Sequence, residues 1–139
     1  GAIFRGAHDD YTGGDPAEKA AAAMERTLVC ALIETKAGLD NVDQIMAVDG
    51  IDVANLGHFD LSLSLGIPGQ FDHPDLQRGI DKIVEAAEKN GRSAGAMMPN
   101  LEWGLDLKSR GYRMISYSHD MALLSDVLTE GLVALKGTN

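Results

Sequence analysis

The sequence predicts a parallel α/β fold, and two observations support this prediction. Short apolar segments of strand length alternate four times with amphipathic segments of helix length along the 139 residues. Glycine, asparagine or proline separates most of these segments, where turns are expected. Strands that are separated by helices pair in parallel as βαβ units, because each crossover helix returns the chain to the same end of the sheet.

The first elements follow from local patterns. Residues 1–14 are polar and rich in glycine, which predicts a loop. A helix is predicted to begin at Pro16, because Asp15 suits the N-cap and proline suits the first helical position. Leu28–Ile33 is a continuous apolar run, which is typical of a strand buried on both faces. Cys30 lies within this run and is therefore predicted to be a small buried hydrophobic residue.

The later elements follow from apolar stripes of helical period and from short apolar runs. Their predicted order is helix Thr35–Val48, strand Ile51–Leu56, loop Gly57–His73, helix Pro74–Asn90, strand Ser93–Met98, helix Asn100–Arg110, strand Tyr112–Tyr117 and helix Asp120–Lys136. Two architectures accommodate this order. One is a small open sheet with helices on both faces, and the other is four consecutive units of a (β/α)8 barrel.

Charge and composition exclude several classes of function. The chain has 12 basic and 21 acidic residues, a net charge of −9, which disfavours binding to nucleic acid. The longest aliphatic run, Leu28–Ile33, is too short to span a bilayer, and we expect no secretory signal, because the first residues lack its basic and apolar pattern. We therefore expect a cytoplasmic protein. Because Gly1 is not a start methionine, we also expect the chain to begin within a longer reading frame or after processing.

Polar residues follow the predicted strands, where parallel α/β proteins place their functional groups. Glu34 follows the first strand, and Asp60 lies just beyond the second. Two carboxylates on adjacent strand ends would suit Mg²⁺ or Mn²⁺, which prefer oxygen ligands. The residues alone equally allow Glu34 to cap the next helix and Asp60 to be a turn residue.

Histidines give weaker indications. His58 and His119 lie near strand ends, but a histidine in a loop is more often a surface residue than a catalyst. His73 precedes Pro74 and is predicted to cap the helix that begins there. A metal site at His8, which lies beside two aspartates, is not favoured.

Three motifs together resemble one enzyme family. Leu32–Asn41 resembles the "IET-x-x-G-(V/L)-x-N" segment of the HpcH/HpaI family of metal-dependent pyruvate aldolases, and Val48–Asp52 resembles its "V-x-G-I-D". Gly57–Gly66 is similar to the "G-P-x-D-L-S-x-S-L-G" segment of the same family. The resemblance runs from about Leu28 to Leu135, which is most of the chain.

The resemblance implies the second half of a TIM barrel, strands five to eight, with residues 1–139 as a single C-terminal portion. The implied activity is that of a lyase, the reversible aldol cleavage of a 4-hydroxy-2-oxo acid to pyruvate and an aldehyde. In this family a divalent ion (Mg²⁺, Mn²⁺ or Co²⁺) chelates the 2-oxo acid and stabilises the enolate that forms when the carbon–carbon bond breaks.

The resemblance also implies roles for individual residues. Glu34 and Asp60 would be the metal ligands. The backbone N–H groups around Phe59 and Asp60, next to Gly57, would hold the pyruvate carboxylate, and Met97 would form the apolar wall that faces the pyruvate methyl group. His58 stands where many members have proline, so it either acts in catalysis by hydrogen bonding to a metal-bound water or simply packs.

The general-base histidine and the pyruvate-binding arginine of this family lie on the first half of the barrel, which this sequence does not contain. We therefore expect residues 1–139 to be part of an aldolase of about twice this length, or to be a short product that dimerises. The resemblance also implies a homo-oligomer. Two other functions remain open, a lyase acting on acyl-CoA esters like citrate lyase β subunits, and a non-catalytic half-barrel for binding or assembly. The sequence leaves the aldehyde open.

Overall fold

The computed structural model describes residues 5–9 and 11–137. A short 3-10 helix at Ala7–Asp9 lies within the predicted N-terminal loop. The elements that follow it in the described residues are α1 (Pro16–Arg26), β1 (Cys30–Ile33), α2 (Lys36–Asp40), α3 (Val42–Met46), β2 (Val53–Leu56), α4 (His58–Ser64), α5 (Pro74–Lys89), β3 (Ser93–Met98), α6 (Leu101–Ser109), β4 (Met114–Tyr117) and α7 (Asp120–Lys136).

Strands β1 to β4 form one parallel sheet in chain order. Ile33, Leu56, Ala96 and Ile115 lie side by side in one row of this sheet. Because parallel strands all point in the same direction, their carboxyl ends meet at a single edge. The residues that follow the strands are therefore brought together there.

One face of the sheet packs against helices and contains the core. Helix α5 lies against β2 and β3, α3 against β2, and α6 against β3 and β4. The apolar stripe predicted for α5 is confirmed, because its members are all buried: Leu76, Ile80, Ile83, Val84 and Ala87. Its predicted start is also confirmed, since His73 caps the helix through Nδ1, which accepts a hydrogen bond from the Asp75 N–H at 3.2 Å.

The prediction that the first strand is buried on both faces is wrong. Strand β1 begins at Cys30, and Cys30 is exposed rather than buried. Leu32 is 52% exposed, whereas its neighbour Ile33 is 1% exposed. In the described residues the helices cover one face of this sheet, so alternate side chains of β1 point away from the core.

Two predicted segments have a different internal structure. The helix expected over Thr35–Val48 is divided into α2 and α3 at Asn41, whose side-chain N–H donates to the Ala37 carbonyl at 2.8 Å. The loop expected over Gly57–His73 opens with the seven-residue helix α4, which is too short to show a helical period. The other boundaries shift by only one or two residues.

Helix α7 has the predicted bounds, but its apolar residues are not buried. The predicted stripe is exposed throughout: Leu124, Val127, Leu128 and Leu135. Within the described part of the chain, no helix combines the length and apolarity needed to cross a membrane.

Tyr112 anchors the approach to β4. Its ring is 2% exposed, and its hydroxyl donates a hydrogen bond to the Ile80 carbonyl in α5 at 2.9 Å. Burial raises the pKa of this hydroxyl above its usual range, so the neutral donor is the form present. The hydrogen bond therefore links the end of one βα unit to the main core helix.

Tyr112→Phe is expected to lower the free energy of unfolding by about 1 kcal/mol, because it removes one buried hydrogen bond and keeps the ring. Urea denaturation of wild type and variant measures this change. Tyr117→Phe is the matched control, since Tyr117 is exposed and should tolerate the same change. Equal destabilisation by the two variants would contradict the role given to the Tyr112 hydroxyl.

Candidate functional site

The carboxyl edge of the sheet collects most of the predicted site residues. Glu34 directly follows β1, Gly57 directly follows β2, and Met97 lies near the end of β3. Each of these three residues comes one position after a residue that is buried beneath the helices, namely Ile33, Leu56 or Ala96. Because successive side chains of a strand point to opposite faces, the three site positions lie on the face away from the helices. Met97 is accordingly 46% exposed.

Glu34 and Gly57 are in close contact. The Gly57 N–H donates to the Ile33 carbonyl at 3.0 Å, which extends the pairing of β1 and β2 beyond their last paired residues. A Cβ atom at position 57 would lie 2.7 Å from Glu34 Cβ and 3.3 Å from Glu34 Oε2. The side chain of Glu34 thus lies over the Gly57 backbone, in space that only glycine leaves open.

Asp60 lies in the first turn of α4 and is exposed. The helix is fixed from its other side, because Leu61 and Ser62 are fully buried. Its first turn closes through the Leu61 N–H, which donates to the Gly57 carbonyl at 2.9 Å. Helical geometry leaves the N–H groups before Leu61 without acceptors inside the helix. Asp60 is therefore an exposed carboxylate on an anchored helix.

Two serine hydroxyls connect α4 to its surroundings. Ser62 Oγ donates to the Phe59 carbonyl at 2.6 Å and accepts from the Gly69 N–H at 3.0 Å, which ties the following loop to the helix. Ser64 Oγ accepts a hydrogen bond from the Lys36 N–H at 2.9 Å. That second bond links the Asp60 helix to the chain two residues after Glu34. Sequence reasoning recognised both serines as part of a motif but did not find these roles.

His58 opens α4 and packs into a cluster of aromatic rings. Its ring centroid lies 4.9 Å from that of Trp103 and 5.3 Å from that of Phe71, both in edge-to-face arrangements. Burial lowers the pKa of His58 below its ordinary value, and the charge of nearby Asp60 opposes this shift. The ring is therefore held in a half-buried site that favours its neutral form.

Phe59 and His119 also follow strands of the sheet, and the contacts described for them are local. Phe59 is exposed, and its ring lies 6.3 Å from Phe71. His119 caps α7 by accepting the Ala122 N–H at 3.2 Å. A groove of about 550 Å³ beside Phe71 and Trp103 includes neither Glu34 nor Asp60.

Glu34 and Asp60 form a donor set that fits a hard divalent ion only in part. Both supply carboxylate oxygens, and the open position over Gly57 leaves the Glu34 carboxylate room beside the helix start. Among the described residues, no group of three or more histidine, cysteine, aspartate or glutamate side chains is placed to hold a metal. The two carboxylates would thus supply only part of the coordination of an ion at this edge.

Comparison with known proteins gives a consistent family assignment. Residues 4–126 match the HpcH/HpaI aldolase/citrate lyase family. A hydroxypyruvate/pyruvate aldolase from Roseobacter denitrificans is 37% identical over 105 residues, which are 73% of this chain and 40% of that protein. A 2-keto-3-deoxy-L-rhamnonate aldolase from Escherichia coli is 34% identical over 104 residues, 75% of this chain and 39% of that protein.

A solved structure extends the comparison to the fold. The HpcH/HpaI aldolase from Desulfitobacterium hafniense DCB-2 superposes with a TM-score of 0.83 and 28% sequence identity, over 94% of this chain and 51% of the other. The chain therefore spans about half of that aldolase and about 40% of the length of the curated relatives. The predicted fold class, half of a (β/α)8 barrel, is confirmed.

Proposed function

Because this chain belongs to the HpcH/HpaI aldolase/citrate lyase family, we propose that it carries the metal-binding half of a pyruvate aldolase. The observation that carries the proposal is that Glu34 directly follows β1, whereas Asp60 lies in the first turn of the helix that follows the neighbouring strand β2, with the Glu34 side chain over the backbone of Gly57. The reaction is the reversible cleavage of a 4-hydroxy-2-oxo acid to pyruvate and an aldehyde.

Glu34 and Asp60 would hold the divalent ion, Mg²⁺, Mn²⁺ or Co²⁺. When bound, the ion supplies positive charge to the carboxylate and keto oxygens of the 2-oxo acid. The backbone N–H groups of Phe59 and Asp60, in the first turn of α4, would donate to the substrate carboxylate. Met97 would present an apolar surface to the methyl group of pyruvate, and its partial exposure on the uncovered face supports this role.

The general base and a substrate-binding arginine would come from the first half of the barrel. His58 lies in the first turn of α4 with Asp60, and it would act there either by hydrogen bonding to a metal-bound water or by packing. By resemblance, we further propose that the natural protein is a cytoplasmic homo-oligomer that acts on small 2-oxo acids and aldehydes.

Metal removal tests the proposed function directly. The natural protein with Mn²⁺ should release pyruvate from a 4-hydroxy-2-oxo acid, and lactate dehydrogenase coupled to NADH oxidation measures that release. Treatment with EDTA should abolish the signal, and added Mn²⁺ should restore it, because the carboxylates bind the ion reversibly. Unchanged pyruvate release after complete metal removal would contradict the proposal.

The family description also includes citrate lyases, which makes a carbon–carbon lyase acting on acyl-CoA esters the second candidate. The aldolase ranks first because the matched relatives at 34% and 37% identity are both named as aldolases. The two functions differ in their products. Formation of acetyl-CoA from an acyl-CoA ester, without pyruvate from any 2-oxo acid, would reverse this order.

A further inference from the structure

Three rings from separate segments meet at the start of α4. His58 is the first residue of that helix, Phe71 lies in the loop between α4 and α5, and Trp103 lies in the first turn of α6. The ring centroids of Phe71 and Trp103 are 5.2 Å apart, and each lies within 5.3 Å of His58. We call these three side chains the ring cluster.

Both partners of His58 are themselves held in place. The backbone N–H of Trp103 donates to Asn100 Oδ1 at 2.9 Å, and this bond caps α6. The Phe71 carbonyl accepts a hydrogen bond from the Gln77 side chain at 2.7 Å, which ties the loop to α5. His58 therefore packs against two rings whose backbones are hydrogen-bonded to neighbouring elements.

The first turn of α4 is held from two directions. Its N-cap is Gly57, which has no side chain to accept a hydrogen bond from the first turn. On the core side, Leu61 is fully buried, and the Ser62 hydroxyl donates to the Phe59 carbonyl of the first turn at 2.6 Å. Towards α6, His58 packs on the ring cluster, and this contact gives the first turn, which contains Asp60, a second anchor.

We propose that His58 is a positioning residue whose ring, packed edge-to-face against Trp103 and Phe71, orients the first turn of α4 and with it the Asp60 carboxylate. This inference rests on the proposed function, because it concerns the geometry of the same metal site. It differs from a catalytic role for the imidazole, in which a ring nitrogen would bond to a metal-bound water. The shape of the ring matters in the first case and its nitrogens matter in the second.

Phenylalanine and alanine at position 58 distinguish the two roles. Free Mn²⁺ measured by electron paramagnetic resonance gives the metal affinity of the natural protein without reference to turnover. His58→Ala should weaken Mn²⁺ binding by about 10- to 100-fold, the range found for residues that orient metal ligands. His58→Phe keeps an aromatic ring in the cluster and should retain affinity within about threefold of wild type.

Trp103→Leu tests the packing of His58 against Trp103 from the other side of the contact. If His58 acts through the ring cluster, the double variant His58→Ala/Trp103→Leu should bind Mn²⁺ about as well as the weaker single variant, because both changes remove one interaction. His119→Ala is the matched control, since this histidine caps α7 outside the ring cluster. It should leave the affinity unchanged, and circular dichroism of each variant monitors folding.

The outcomes are separable. A wild-type protein that binds no Mn²⁺ would overturn the proposed function, and the positioning role with it. Wild-type affinity in His58→Ala would overturn the positioning role alone. Loss of affinity in His58→Phe as large as in His58→Ala, with both variants folded, would overturn it in favour of a ring nitrogen. Recovery of affinity in His58→Phe supports positioning by ring packing.

Discussion

Glu34→Gln and Asp60→Asn are each expected to lower metal-dependent pyruvate release by at least about 100-fold, which exceeds the 10- to 100-fold effect of residues that only orient a ligand. Each change keeps the size of the side chain but removes the negative charge that attracts a divalent ion. The lactate dehydrogenase assay at saturating Mn²⁺ measures the loss. A parallel Mn²⁺ titration should show weaker binding in both variants.

Charge-matched controls lie on α7. Glu130→Gln and Asp126→Asn remove the same charges from exposed positions and should change pyruvate release by less than twofold. The two site variants should unfold in urea at nearly the wild-type midpoint, because Glu34 is only half-buried and Asp60 is exposed. Full activity in either site variant would remove the basis of the proposed metal site.

Gly57→Ala is expected to disrupt the same site through sterics alone. The added Cβ would lie 2.7 Å from Glu34 Cβ, an atom that moves only with its own backbone, directly after β1. Relief of this overlap must separate the backbones of Glu34 and residue 57 at the start of α4, and it should weaken Mn²⁺ affinity by about 10- to 100-fold. The overpacking should also lower the free energy of unfolding by about 1–3 kcal/mol.

Gly131→Ala is the matched control, because the added methyl group has space at this position. Apart from its chain neighbours and the nearby backbone of its own helix, a Cβ at position 131 would have no atom of the described structure within 4 Å, and the residue lies in the interior of α7. Alanine should stabilise this helix by about 0.5–1 kcal/mol and leave Mn²⁺ affinity unchanged. Wild-type Mn²⁺ affinity in Gly57→Ala would show that the contact between Gly57 and Glu34 does not determine metal binding.

The order of the elements was predictable from the sequence because each is marked locally. Pro16 and Pro74 begin helices, and the α5 stripe has a clear helical period. Burial of β1 was not predictable in the same way, because an apolar run does not reveal how many faces of its sheet are covered. Helix α4 was missed because seven residues show no period beside the glycines and proline that follow.

The candidate site was predictable as a set of residues but not as an arrangement. Strand ends and motif spacing indicated Glu34, Asp60 and Gly57. The reason for glycine at position 57 required coordinates, because it depends on a side chain 23 residues away in another strand unit. The ring cluster likewise joins segments that are distant in the chain, so no local pattern could indicate that His58 packs against Trp103.

The chain-order arrangement of the sheet has a consequence for how this segment folds. Paired residues such as Ile33 and Leu56, or Ala96 and Ile115, are roughly 20 residues apart, and Leu56 and Ala96 are roughly 40 apart. Doubling the length of a closed loop costs only about 0.6 kcal/mol more in chain entropy. The entropy of closure therefore favours no strand pair strongly, and the sheet can nucleate at whichever neighbouring pair gains most from apolar burial. The pairing of β2 with β3 beneath α5 buries the most core and is the expected nucleus.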